Sequence, residues 1–415
     1  MSKEDENKVA TDYSKRTELH GIISKENFEV VRTVNKSTIK HFSKEWSDNI
    51  KRNKKYWRKH QKIRDLTGLG RNKAVIGIGA GPSFHKNKDV LKRYVVQDGT
   101  KSWPDREFIT IASNHQFKPL LDMGIIPDFV LLVDASDVVM DQLTKDIPKE
   151  AKNTQMITGV HAHVNVLKEW DKQGRGIVFY STPAPIIQEA SAKHIKRGYK
   201  DQILEMGGNV LNGAFMVGIA ALQSTVFMGV GNDLSFEMND DLETQRKGYY
   251  ADGDYSTNAK VTGTGRDEGG SPKRWAGYNM ERKRIISLDD PIGCHARYNF
   301  DLDIVGTSHT LWVYKIWLET TMMGQTALPV LFHYFNCTEG GILGVMAKDD
   351  SDEALSKPEN WFFLDEVCVN EHTGKQMYMT AMLSDAIDIF LRSRRSQEWP
   401  VHQDVRYATG TEVHR

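Results

Sequence analysis

Short apolar runs separated by stretches of helix length dominate the chain from Lys73 onward. Ala74-Val75-Ile76-Gly77-Ile78 is the first and ends in glycines. Phe108–Ala112 is the second, and Phe129–Val133, ending at Asp134, is the third. Gln155–Thr158 and Gly176–Tyr180 are weaker, and Thr225–Val230 is the sixth. Runs that are apolar at every position predict strands buried on both faces. With helix-length connections between them, they predict an α/β fold: a Rossmann-like, mostly parallel sheet with helices on both faces. Right-handed crossovers then gather ligands at the carboxyl ends of the strands.

The flanks read differently. Residues 1–70 are polar with a helical pattern and form an expected N-terminal helical extension. Val210 to Val230 has the length of a bilayer span, but Asn209, Asn212, Gln223 and Ser224 interrupt it. It predicts a buried helix over Val210–Leu222, a turn and a strand over Thr225–Val230, so no membrane span is expected. Residues 232–291 are rich in Gly, Asp, Asn and Arg and predict a long loop of the kind that forms lids. Thr310–Met322 reads as a helix, Ala327–Phe335 as a last core strand, and Gln376–Arg392 as a helix. The expected organisation is the extension 1–70, a nucleotide-binding catalytic domain over 71–345, and a C-terminal helical extension over 346–415.

Charge excludes some partners. The chain of 415 residues has 55 Lys plus Arg against 55 Asp plus Glu. No global field draws it to nucleic acid or membrane, so any such attraction is local. The local exception is Lys51–Arg64, with Lys51, Arg52, Lys54, Lys55, Arg58, Lys59, Lys62 and Arg64 and no acid. It is either an anion-binding surface or a solvated helix face with Tyr56 and Trp57 packed inward. Nucleic acid contact is expected only through this 51–64 segment. Cys294, Cys337 and Cys368 are far apart and form no CxxC pair, which argues against structural zinc or disulfides and for a reducing, cytoplasmic setting. The charged N-terminus carries no signal-peptide pattern.

The strongest local signal is the turn Gly77-Ile78-Gly79-Ala80-Gly81-Pro82-Ser83 between a strand and a helix. Glycines let backbone approach a phosphate or ribose, Ser83 offers a hydroxyl, and the helix start offers N–H groups. The turn lacks the Gly-Lys-Ser/Thr ending of a P-loop, and Pro82 stands where the dinucleotide fingerprint departs from it. The next two strands end in Ser113-Asn114-His115 and Asp134-Ala135-Ser136-Asp137, at the same expected edge. Asn114 suits contact with a ribose or base, and Asp134 and Asp137 a ribose hydroxyl or a divalent cation. Each serves equally well as a helix cap.

Four motifs in order give a resemblance. They are Ile76–Phe84, the block Lys118-Pro119-Leu120-Leu121 to Val133-Asp134, the pair Gly208-Asn209-Val210 and Gly229–Phe236, and Asn336-Cys337-Thr338-Glu339-Gly340-Gly341. Together they resemble the family that joins the motility accessory factor flagellin glycosyltransferases to the 6-hydroxymethylpterin diphosphokinase-like proteins. The resemblance covers roughly residues 40–345. The first motif is also similar to the nucleotide-binding turn of bacterial sialyltransferases, which bind a CMP-sugar, and Ser113–Phe117 is close to their next strand end. The resemblance implies a nucleotide held by Gly79, Gly81, Ser83 and Asn114, and the turn and strand ends add Gly77, Ala80, Pro82, Asp134 and Asp233 as candidate nucleotide-binding residues. It implies a glycosyltransferase with a nucleotide-sugar donor, CMP-linked by preference, and an unidentified acceptor. The alternatives are a Mg2+-dependent diphosphokinase acting on a pterin-like alcohol with ATP, and a non-catalytic nucleotide- or glycan-binding protein.

Each chemistry asks for particular groups. Glycosyl transfer needs donors to a leaving phosphate and a base for the acceptor hydroxyl. Tyr249, Tyr250 and Arg246 suit the first role, and His309 or Glu339 the second. A diphosphokinase needs Mg2+, for which Asp134, Asp137 and Asp233 are the candidate ligands at strand ends. His161 and His163 flank one small residue without an apparent third metal ligand.

Overall fold

The computed structural model describes residues 25–135, 139–235, 278–279, 284–285, 294–298, 304–307, 309–327, 332–347 and 361–396. Its centre is a nine-stranded parallel sheet. The strands are β1 (Gln61–Lys62), β2 (Ala74–Ile78), β3 (Phe108–Ser113), β4 (Phe129–Leu132), β5 (Gln155–Gly159), β6 (Ile177–Tyr180), β7 (Val226–Val230), β8 (His333–Asn336) and β9 (Tyr378–Thr380). Their order across the sheet is β1-β6-β5-β4-β3-β2-β7-β8-β9. The six expected core strands are present, and β2, β3, β4, β6 and β7 are buried at every position. Burial on both faces is why they carry unbroken apolar runs.

Helices cover both faces. They are α1 (Lys25–Lys59), α2 (Phe84–Leu91), α3 (Asn114–Asp122), α4 (Met140–Thr144), α5 (Val164–Lys172), α6 (Pro185–His194), α7 (Val210–Met216), α8 (His309–Met323) and α9 (Leu383–Ser396). On one face Val75, Ile109, Leu131 and Phe227 pack with Leu211 and Phe215 of α7 and Trp317 of α8. On the other face Ile76, Ala112 and Met228 pack with Phe84, Leu120 and Ile387. Val130, Met156 and Phe179 continue that face with Trp57, Phe117 and Trp170. The alternation along β2 is the period of two that a strand imposes. The apolar stretch Val210–Val230 is α7, a continuing π-helical turn (Val217–Ala221) and β7. Among the described residues no helix is long and apolar enough to cross a membrane.

The sheet takes strands from both flanks. β1 pairs in parallel with β6, and β9 pairs in parallel with β8. The tail therefore holds a strand at Tyr378–Thr380 and a helix that starts at Leu383, rather than one helix over Gln376–Arg392. A three-residue edge strand has too little length to show a period.

α1 is fixed to the sheet's carboxyl edge. The Asn53 amide donates to Val160 O at 3.0 Å and Ala162 O at 2.7 Å, and the Asn49 amide donates to Ala135 O and His161 O. Asn49 and Asn53 stand four apart, on one helical face. Tyr56 and Trp57 are buried with them, which leaves the basic residues of the Lys51–Arg64 run largely outward.

Candidate functional site at the sheet's switch point

Strand order reverses at β2. Its successors β3 to β6 lie on one side, and β7, β8 and β9 lie on the other. Such a switch point opens a crevice at the carboxyl ends, here between the turns that follow β2 and β7. The glycine turn lies in that place. Gly79 N–H donates to Val230 O at 2.8 Å, and Gly81 N–H donates to Gly231 O at 3.0 Å. The approach requires glycine, since a Cβ on Gly79 would stand 2.4 Å from Gly231 O, and one on Gly81 would stand 2.0 Å from Asp233 Oδ2.

Asp233 is the hub. Its carboxylate accepts from Ser83 N at 3.2 Å and from Ser83 Oγ at 2.8 Å. It therefore fills the N-terminal end of α2, where an anion is favoured. Asp233 is 6% exposed. Burial pushes its pKa up to about 7, against the opposing pull of the Ser83 hydrogen bonds and the nearby Lys86.

The loop after β8 closes over the hub. Asn232 N–H donates to Thr338 Oγ1 at 3.3 Å, and Ile342 N–H donates to Asp233 O at 2.9 Å. Gly341 adopts φ +74°, and a Cβ there would stand 2.3 Å from Asp233 O. The Lys86 ammonium donates to the Glu339 carbonyl. The Glu339 side chain points the other way and accepts from Leu383 N at 3.3 Å, as a cap on α9.

Other candidates occupy neighbouring strand ends. Asn114 opens α3, and its amide donates to Gln142 Oε1 of α4 at 2.7 Å. The α3 cap is Ser113, whose hydroxyl accepts from Gln116 N at 3.2 Å. Asp134 is exposed at the end of β4. Across from it stands Tyr314 of α8, whose pKa is pushed to about 12 by burial first and by the Asp134 charge second.

Two features beside the site were given no role by sequence reasoning. Asn209 caps α7, accepting from Asn212 N at 2.7 Å, and the Asn212 amide donates to the carbonyls of Gly207 and Tyr314. The signal in the sequence was Gly207-Gly208-Asn209 before an apolar run, a helix-start pattern. Tyr314 gave no signal, because its nearness to Asp134 depends on how α8 crosses the sheet.

The site thus unites Gly77, Gly79, Ala80, Gly81, Pro82 and Ser83 with Asp233 and the Glu339 backbone, with Asn114 and Asp134 one and two strands away. His309 is the first residue of α8. Two residues before it, Thr307 donates its hydroxyl to Leu234 O at 2.7 Å, which ties the start of α8 to the hub. Asp137, Arg246, Tyr249 and Tyr250 lie outside the described residues. Of the candidate magnesium ligands, Asp233 is bound to Ser83 and Asp137 lies outside the described residues, among which no group of three or more His, Cys, Asp or Glu is placed to hold a metal ion. His161 is buried, with its pKa lowered to about 4 by desolvation.

Comparison with known proteins adds to this geometry. No curated protein matches the sequence. A solved structure, the MAf glycosyltransferase from Magnetospirillum magneticum AMB-1, is 14% identical and aligns over 84% of this chain with a TM-score of 0.45. This chain spans 42% of that protein. The model of the family described as 6-hydroxymethylpterin diphosphokinase MptE-like matches residues 45–239, from α1 through β7 to the Asp233 loop. That matched segment contains both the glycine turn and its aspartate partner, Asp233.

Proposed function

We propose that the protein is a transferase that binds a nucleotide at the β2–β7 switch point, and that it is a glycosyltransferase with a nucleotide-activated, CMP-linked sugar donor. The observation that carries this reading is the Ser83–Asp233 contact. A polyphosphate such as ATP needs an open anion cradle and carboxylates free to hold magnesium. Here one carboxylate already fills the helix end and is taken up in doing so. A nucleoside monophosphate sugar makes a smaller demand, with one phosphate and its ribose laid across Gly79–Gly81.

In this reading the bond from the sugar's anomeric carbon to the donor phosphate breaks, and a bond to an acceptor oxygen forms. The acceptor's proton passes to a base and the nucleotide leaves with its phosphate. His309 is the proposed base; the tie between Thr307, two residues before it, and Leu234 next to Asp233 supports this reading. Arg246, Tyr249 and Tyr250 are proposed to steady the leaving phosphate. Asn114 and Asp134 are proposed to contact the nucleotide's sugar or base.

The second reading is diphosphoryl transfer with ATP and Mg2+, favoured by the description of the matching family. A thermal-shift panel separates the two. The protein is heated with CMP, CDP, UDP or ATP, each with and without Mg2+. Stabilisation by CMP without metal is the expected result. Stabilisation only by ATP with Mg2+ would overturn glycosyl transfer in favour of the second reading.

A further inference from the structure

The basic run on α1 is half of a larger cationic face. α1 packs along α6, and the end of α6 brings further cations beside those of α1. Lys51, Lys54 and Lys55 lie on α1, and Lys193, Lys196 and Arg197 lie at and just after the end of α6. His194 reports their convergence. After desolvation, its pKa is lowered by the charges of Lys193, Lys51 and Lys54, with Asp48 the acid that opposes them.

None of these six cations forms an ion pair with another described residue, unlike several lysines elsewhere on the surface. Lys59 meets Asp171 at 2.6 Å, Lys101 meets Glu107 at 2.9 Å, and Lys145 meets Asp141 at 2.7 Å. In a chain of zero net charge, a face of unpaired like charge repels itself and is relieved by an external anion.

We propose that this α1–α6 face is an electrostatic docking surface for an anionic lipid bilayer. The geometry favours a plane of charge over a nucleic acid. Two packed helices about 9 Å apart, each about 10 Å across, present a front of roughly 20 Å, too broad for a major groove of about 12 Å. Single-stranded nucleic acid is held by exposed aromatic rings, and here Tyr56 and Trp57 point inward at 4% and 6% exposure. Five of the six cations are lysines, and a charged membrane surface asks for the number of cations rather than for an exact fork geometry. Asn49 and Asn53 hold α1 rigidly to the carboxyl edge, so the face adsorbs as a preformed unit.

The test is cosedimentation of the full chain with phosphatidylcholine vesicles, with and without phosphatidylglycerol. Binding to the anionic vesicles alone is expected, and it should fall as salt shortens the screening length. The quadruple variant Lys51→Glu, Lys54→Glu, Lys55→Glu, Lys193→Glu should bind at least about a hundredfold more weakly. The same four positions changed to arginine should bind as the parent does. Unfolding midpoints of both variants identify any loss of fold, and the arginine variant then decides the outcome. Three results would overturn the proposal: no binding of the parent at low salt, equal binding by the glutamate variant, or preference for duplex RNA or DNA at equal phosphate concentration.

Discussion

Asp233 is the residue on which the candidate site turns, and it carries a pH signature. Its folded pKa of about 7 lies above the ordinary value of 3.8 because burial penalises the charge. Folding therefore favours the protonated form. That contribution is fully present below pH 3.8 and is lost as pH rises through 7. In Asp233→Asn the group no longer titrates, while an amide oxygen still accepts from Ser83. The variant should gain stability relative to the parent between pH 4 and pH 8, by a few kcal/mol at the upper end. Thermal unfolding of both proteins across that range measures it, and parallel curves would remove Asp233 as a titrating hub. Gly81→Ala probes the same contact from the other side. The added methyl meets Asp233 Oδ2 and Gly231 O, so the turn must shift. A loss of about 1–3 kcal/mol is expected, together with loss of the nucleotide-dependent thermal shift. An unchanged shift would separate the turn from nucleotide binding.

At the scale of elements, the sequence revealed what local burial dictates and concealed what strand order dictates. β2, β3, β4 and β7 were legible because a strand covered on both faces has to be apolar throughout. The turn from Gly77 to Ser83 was legible for the same local reason, since glycine and proline punctuate a strand end. Its partner was not, because Asp233 lies 150 residues away from Ser83 and meets it only because β7 pairs with β2. The edge strands β1 and β9 were missed for want of length. α1 was expected as a polar helix, but the fastening role of Asn49 and Asn53 needs knowledge of where the β5 loop runs. That fastening is testable. In Asn53→Ala the carbonyls of Val160 and Ala162 lose their donor, at a cost of about 1–3 kcal/mol in the interior. A urea midpoint lowered to match, with an unchanged slope, is the expected result. A midpoint within error of the parent's would mean that α1 is held by apolar packing alone.

At the scale of the whole molecule, residues 361–396 are tied into the sheet and its core. β9 covers the outer edge of β8 with a parallel ladder over Tyr334–Asn336. Behind it Leu383, Ile387 and Phe390 of α9 are buried in the cluster that holds Ile76, Val226 and Phe335. Phe390 lies 5.8 Å from Phe108 of β3, across the sheet from β9. The start of α9 is capped by Glu339 from the loop that closes over Asp233, so the tail also steadies the candidate site. Removing residues 348–415 deletes those three side chains, so the core around Ile76, Val226 and Phe335 loses their burial, at about 1.5–3 kcal/mol each, and β8 becomes an open edge. The sum is comparable to the whole stability of an ordinary domain, about 5–15 kcal/mol. The truncated chain should therefore melt without a cooperative transition, and CMP should not restore one. If it unfolds sharply near the parent's midpoint, the tail is an appendage, and the Glu339 cap is dispensable to the loop it joins.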